Sequence, residues 1–170
     1  MSDTLILVDS KDIDIGYEEK QKVHKNPVPL HRAFSIFIFN PSGQLLIQKR
    51  SGKKKTWGGI WSNTCCSHPR KGELLLNAAS RRLKEELGFM TELRHLFHFT
   101  YDAIWNKEWG EHEFDHVFVG EYDGEVNPNK EEVDEYRWVN IKELKDNMKK
   151  HPNSYTPWFR ICIERVMKEK

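Results

Sequence analysis

Hydrophobic and polar positions alternate along much of the chain, and the alternation marks out its elements. AFSIFIFN (Ala33 to Asn40) and QLLIQKR (Gln44 to Arg50) are apolar runs on either side of a Pro/Gly turn, the pattern of a β-hairpin. Further strands are predicted in TELRHLFHFTYDA (Thr91 to Ala103), FDHVFVGEYDG (Phe114 to Gly124) and EYRWVN (Glu135 to Asn140). From Glu73 to Leu87 the period changes: Leu76, Ala79, Leu83 and Leu87 recur at i, i+3, i+7 and i+11, which predicts a helix with that stripe as its core face and Gly88 as its stop. Two more helices are predicted over Ile141 to His151 and Trp158 to Lys170, split by Pro152. The tract up to Pro27 and Pro29 reads as an approach loop, and SGKKKTWGGIW (Ser51 to Trp61) as a basic, glycine-containing loop. With no internal repeat, the pattern is a mixed sheet with a central helix and C-terminal helices, an α+β or α/β sandwich in one domain spanning residues 1–170.

Charge narrows the class of partner. Lys and Arg number 27 against 26 Asp and Glu, a formal net charge of +1, so a general nucleic-acid or membrane-surface binder is not expected and selectivity must be local. No apolar run approaches the roughly 18 residues of a membrane span. Three cysteines, an odd number, behind an opening MSDTLILVDSKD with no cleavage-site pattern point to reduced thiols and a cytoplasmic protein.

Chemistry concentrates in two short segments. In extended NTCCSHP (Asn63 to Pro69), Thr64, Cys66 and His68 share one face and Cys65 and Ser67 the other, which makes Cys66 the partner of His68. In GEHEF the same period puts Glu111 and Glu113 side by side, an invitation to a cation. Arg82 and Glu86 are i, i+4 neighbours on the helix, ordinarily a surface ion pair worth about 0.3–0.5 kcal/mol. Each feature alone has a bland reading: a loop histidine, a solvated strand edge, a small buried cysteine. Their co-occurrence in one order changes the odds.

SHPRKGELLLNAASRRLKEELGF (Ser67 to Phe89) resembles the Nudix box, G-x5-E-x7-R-E-U-x-E-E-x-G-U, with Glu73, Arg81, Leu83, Glu85, Glu86, Gly88 and Phe89 in the matching places. Ser67 stands where the first glycine is expected. Arg82 stands where the first glutamate of the R-E-U triplet is expected, which removes a carboxylate from the metal-binding face and weakens the case for pyrophosphate hydrolysis.

The surrounding motifs resemble those of the type I isopentenyl-diphosphate isomerases: W-x-G-x-W-x-N over Trp57 to Asn63, then Cys66 and His68, Tyr101 with Glu111 and Glu113, His24 and His31, and YTPW at Tyr155 to Trp158. That resemblance implies a Nudix α/β/α sandwich and a metal-dependent proton transfer in isoprenoid biosynthesis, interconverting isopentenyl and dimethylallyl diphosphate through a tertiary carbocation. It implies one divalent metal (zinc, manganese or magnesium) held by His24, His31, His68, Glu111 and Glu113, and a magnesium ion on the diphosphate held by Glu86 and the Cys66 carbonyl, with no flavin. Glu113 with Tyr101 is the implied acid and Cys66 the group on the other side of the alkene, with a nearby cation expected to lower its pKa. Lys20, Arg50, Lys54 and Arg82 are the implied diphosphate ligands, with Trp158 and Trp61 as aromatic walls for the cation. The expected partner is the small-molecule substrate alone, bound by a monomer or weak dimer. The alternative is a Nudix diphosphohydrolase acting on a nucleoside or prenyl diphosphate; a catalytically silent ligand-binding relative is a third reading.

Overall fold

Alternation along HRAFSIFIF puts Phe34, Ile36 and Ile38 on one face and His31, Ala33, Ser35, Phe37 and Phe39 on the other, and the rest of the molecule is assembled around this strand. A computed structural model describes residues 3–170. Its elements are β1 (Thr4–Val8), β2 (Asp14–Glu19), α1 (Lys20–Val23), β3 (His31–Phe39), β4 (Leu45–Arg50), β5 (Trp61–Ser62), β6 (Cys65–Ser67), α2 (Leu75–Leu87), β7 (Arg94–Ile104), β8 (Gly110–Glu121), β9 (Val133–Val139), α3 (Ile141–Lys150) and, after a 3₁₀ turn at Pro152–Ser154, α4 (Pro157–Glu169).

The strand β3 is the hub of a mixed sheet. It pairs in parallel with β8 over its whole length, from His31 opposite Glu113 to Phe39 opposite Glu121. On its other side it meets β1 at His31, β6 at Phe34 to Ile36 and β4 at Phe39, all antiparallel. The hairpin β7–β8 and the pairs β4–β9, β4–β5 and β1–β2 complete the sheet.

Helices cover both faces, as the sandwich reading expects. Phe34, Ile36 and Ile38 pack with Ala78, Ala79, Leu83 and Leu87 of α2, while Phe37, Val117 and Val119 pack with Leu144 of α3 and with Phe159, Ile163 and Val166 of α4. Asn140 caps α3 by accepting from the Lys142 and Glu143 backbone N–H groups. Gly88 ends α2 at φ 80°, where a Cβ would stand 2.7 Å from the Asn127 carbonyl oxygen.

Four differences from the sequence reading have local causes. β1, β2 and α1 occupy the stretch read as an approach loop, because β2 is a mostly exposed edge strand and its pairing to β1 is not visible as a hydrophobic run. β8 begins at Gly110, four residues ahead of the predicted start at Phe114, because GEHEF is too polar to read as part of the apolar run, though its period of two holds. Leu76 is 47% exposed, and Ala78 takes its place in the core face of α2. The Arg82–Glu86 pair, expected at the surface, is largely withdrawn from it: Glu86 is only 3% exposed and Arg82 half-buried.

The α2 orientation is testable by urea denaturation. Leu83→Ala should cost about 2–5 kcal/mol and Leu76→Ala stay within about 0.5 kcal/mol; equal losses would mean the helix is rotated.

Candidate active site

Five metal-capable side chains arrive from four segments. His31 opens β3 beside Glu113 in the parallel register, Glu111 lies two residues earlier on the same face of β8, and His68 follows β6. His24 ends α1 and is brought to β8 by the Gly110 N–H, which donates to its carbonyl oxygen at 3.0 Å. One ligand atom from each of the five lies within 4.8 Å of all the others.

The nitrogens are oriented from behind. His24 Nδ1 lies 2.7 Å from the Lys20 carbonyl oxygen and His31 Nδ1 lies 2.9 Å from that of Pro29, so each ring donates there and turns Nε2 inward. His31 Nε2 and Glu111 Oε2 are buried without a hydrogen-bond partner. Burial drives the His68 pKa down to about 3, overriding the nearby Glu113 carboxylate, so its ring is neutral. Burial also opposes a charge on His24, but the Glu111 carboxylate, with its Oε2 3.1 Å from His24 Nε2, outweighs it and raises that pKa. Three imidazoles and two carboxylates converging on one point, with orphaned buried atoms among them, fit a divalent transition ion.

Glu113 faces two ways. Its Oε1 lies 2.8 Å from His68 Nε2, and its Oε2 accepts from the Tyr101 hydroxyl at 2.6 Å. Burial would raise its pKa, yet His31 and His68 together hold the carboxyl well below the usual range. Burial and then the Glu113 charge keep the Tyr101 phenol well above its usual value, so the proton between them rests on the phenol.

Cys66 on β6 lies opposite Ser35 and Glu113 on β8 lies opposite His31, so the two flank β3 from either side on one face, four residues apart along it. Between them that face of β3 carries only Ala33 and Ser35. Cys66, Tyr101, Glu113 and Trp158 all line one cavity of about 130 Å³. The expected depression of the thiol pKa does not hold. Arg50 Nη1 is 3.7 Å from Cys66 Sγ, but burial pushes the thiol up to about 12 and the guanidinium only partly opposes it. Cys65 faces the other way, fully buried in the α2 core, as the strand phase predicts.

The same cavity has a cationic wall of Lys20, Arg50, Lys54, Lys55 and Arg82. Burial and then Lys54 and Arg82 lower the Lys20 pKa, the signature of positive charge in excess. Glu132 holds the wall together by pairing with Lys54 and with Arg82 at 3.3 Å, and against the effect of burial those cations bring its pKa down to about 2.

Most of the residues named from sequence converge here. Trp61 does not: it sits beneath the Arg137 guanidinium at 4.7 Å in a separate groove, because alternation along β5 sends Ser62 inward instead. Ser62 then accepts from Trp158 Nε1 at 3.1 Å and fixes the indole. Glu86 is set behind the cavity lining, its Oε1 accepting from Arg82 at 2.6 Å and its Oε2 from Gln48 at 2.9 Å, with a second lone pair left on each oxygen. Sequence reading passed over Glu132, Thr56, which hydrogen-bonds Glu111 at 3.3 Å, and Trp57, which packs edge-on against Trp158 at 5.4 Å. Only Trp57, inside the W-x-G-x-W motif, carried a signal.

Residues 29–159 match the NUDIX domain family. The isopentenyl-diphosphate Delta-isomerase 1 of Aromatoleum aromaticum is 46% identical, with 98% of this chain and 94% of that protein covered. The isopentenyl-diphosphate Delta-isomerase of Burkholderia multivorans is 47% identical over 98% and 94%. In fold, the chain is similar to a Deinococcus radiodurans protein (TM-score 0.71, 19% identity, 86% of this chain and 89% of that one) and to a MutT protein from Methanosarcina mazei (TM-score 0.68, 22% identity, 83% and 95%). The chain belongs to the NUDIX domain family and, within it, to the isopentenyl-diphosphate Delta-isomerases.

Proposed function

We propose that the chain interconverts isopentenyl and dimethylallyl diphosphate by placing a proton on the terminal alkene carbon and removing one from C2. The observation that carries this reading is the Tyr101–Glu113 proton pair and the Cys66 thiol facing one cavity from strands on either side of β3. A hydrolase has no use for a thiol opposite a carboxylic acid, and Arg82 fills the position where the Nudix pattern has a glutamate.

The diphosphate is the handle. Lys20, Arg50, Lys54 and Arg82 pair with its oxygens and anchor an alkene that has little surface of its own. An alkene is a weak base, so the acid must sit beside it in a dry site. Tyr101 Oη and Glu113 Oε2 hold the proton that goes to the terminal carbon. A divalent cation held by His24, His31, His68, Glu111 and Glu113 supplies, when bound, positive charge that sharpens the acidity of that pair. Positive charge then develops on the tertiary carbon against the Trp158 face, where desolvated cation–π attraction is worth ~2 kcal/mol or more. Cys66 Sγ takes the C2 proton. We also assign the enzyme to the cytoplasm, where Cys65, Cys66 and Cys162, all free thiols, stay reduced.

The resting protonation state has a consequence. A neutral Cys66 and an ionised Glu113 are the form that receives dimethylallyl diphosphate, with the thiol as acid and the carboxylate as base. The form that receives isopentenyl diphosphate carries the same number of protons with one moved across the cavity. In both directions the pair holds one proton, lost from Cys66 only near about 12 and doubled only below the depressed Glu113 pKa.

Three outcomes are expected. In D2O, proton NMR should show deuterium entering the new methyl group and C2 with no phosphate released; release of phosphate or pyrophosphate instead, unaffected by Cys66→Ala, would install the hydrolase. Cys66→Ala should lower turnover at least ~100-fold, the usual range for a lost acid–base group, while Cys65→Ala keeps turnover and loses stability as a core truncation, so an inverted result sinks the strand phase. With the metal site saturated, kcat/KM should be flat from about pH 7 to 9 in both directions, because the active and resting forms hold equal numbers of protons; a unit logarithmic slope there would contradict the shared proton.

A further inference from the structure

A second group of histidines lies on the face of β8 turned away from the catalytic cavity. His116 is three residues after Glu113, so strand alternation sends the two side chains to opposite faces of the sheet. His95 and His98 on β7 are also three apart and in a regular strand would point opposite ways. The register shift between His95 and Phe97 cancels that: His95 pairs with Phe118 and His98 with His116, which puts both imidazoles on the His116 face.

We propose that His95 Nε2 and His116 Nδ1 form a second divalent-metal chelate, of the zinc class, with Asp12 as the carboxylate that orients His116. The two nitrogens are 3.1 Å apart. Metal–nitrogen bonds of about 2.0–2.1 Å span about 2.9 Å at a right angle and about 3.3 Å at the tetrahedral angle, so the observed separation is already a chelating bite. His116 Nε2 lies 2.8 Å from Asp12 Oδ2, and donation there leaves the Nδ1 lone pair facing His95. Asp12 is itself held, its Oδ1 accepting from Arg32 Nε at 2.7 Å and its carbonyl oxygen from Arg32 Nη2 at 2.6 Å. This is the carboxylate–histidine arrangement that supports metal-bound imidazoles.

The occupant is a borderline-soft cation that accepts imidazole nitrogen, which excludes magnesium and calcium as ligand chemistry. His95 is exposed and His116 half-buried, so solvent reaches the open coordination positions. Without the ion, His95 donates its Nε2–H to His116 Nδ1; the tautomer of His95 with its proton on Nδ1 frees the Nε2 lone pair, so that both nitrogens can turn to one ion. His98, directly opposite His116 with ring centroids 5.8 Å apart, is the nearest further imidazole.

Equilibrium dialysis of the full chain against zinc chloride, in saturating magnesium chloride, tests the assignment. Wild type should hold one zinc ion per chain more than His95→Ala, whatever the occupancy of the catalytic cluster, and His95→Ala should keep wild-type turnover. Asp12→Asn should retain that extra ion with about 10–100-fold weaker affinity, the usual effect of removing an orienting carboxylate. Equal zinc content in wild type and His95→Ala overturns the site, and unchanged affinity in Asp12→Asn overturns the orienting role of Asp12.

Discussion

The parallel pairing of β3 with β8 is the constraint on which the site depends. Its register sets His31 beside Glu113, and strand alternation then brings Glu111 and Glu113 onto the face where β3 carries Ala33 and Ser35. Burying two carboxylates among three imidazoles costs several kcal/mol of desolvation per ion, and mutual attraction offsets that only in good geometry. A parallel pair fully buried in a sandwich supplies the rigidity: the β3 face toward α2 is Phe34, Ile36 and Ile38, and this packing keeps the strand from slipping.

Function then follows from what the sheet keeps apart as much as from what it gathers. Cys66 and Glu113 stand on either side of β3 and four residues apart along it, so the thiol and the carboxylate face one cavity without touching. The small residues Ala33 and Ser35 leave room there. The aromatic side chains Tyr101, Trp57 and Trp158 come from β7, the loop after β4 and the start of α4, and pack against one another beside the cavity. The loop is tightly coiled: a Cβ at Gly58 would stand 2.9 Å from the Lys54 carbonyl oxygen, so a glycine is needed where the chain folds back between Lys54 and the two tryptophans.

The two ends of the cavity differ in charge for a stated reason. At one end two carboxylates and three imidazoles converge. At the other, five cationic side chains, Lys20, Arg50, Lys54, Lys55 and Arg82, line the cavity, with Glu132 paired to Lys54 and Arg82. α1 connects them, since Lys20 offers its ammonium group to the anion end while its carbonyl oxygen orients His24 at the cation end.

The local patterns determined much of this. The helix at α2, the strands β3 and β4, the C-terminal helices and the opposed faces of Cys65 and Cys66 all follow from periods of 3.6 and 2.0, which depend only on backbone geometry. The motif order carried the family and nearly all of the cavity residues. What the chain alone left open were properties of neighbours distant in sequence: the edge hairpin β1–β2, the inward turn of Ser62 in place of Trp61, the withdrawal of Arg82 and Glu86 from the surface, and the counter-ion Glu132. The thiol shows the limit most clearly. Spacing places Cys66 near a cation, but its pKa is the difference between burial and the pull of Arg50, and burial depends on strands and helices from across the whole chain. The grouping of His95 with His116 is of the same kind, since a single bulge, invisible as a pattern, decides which face those imidazoles share.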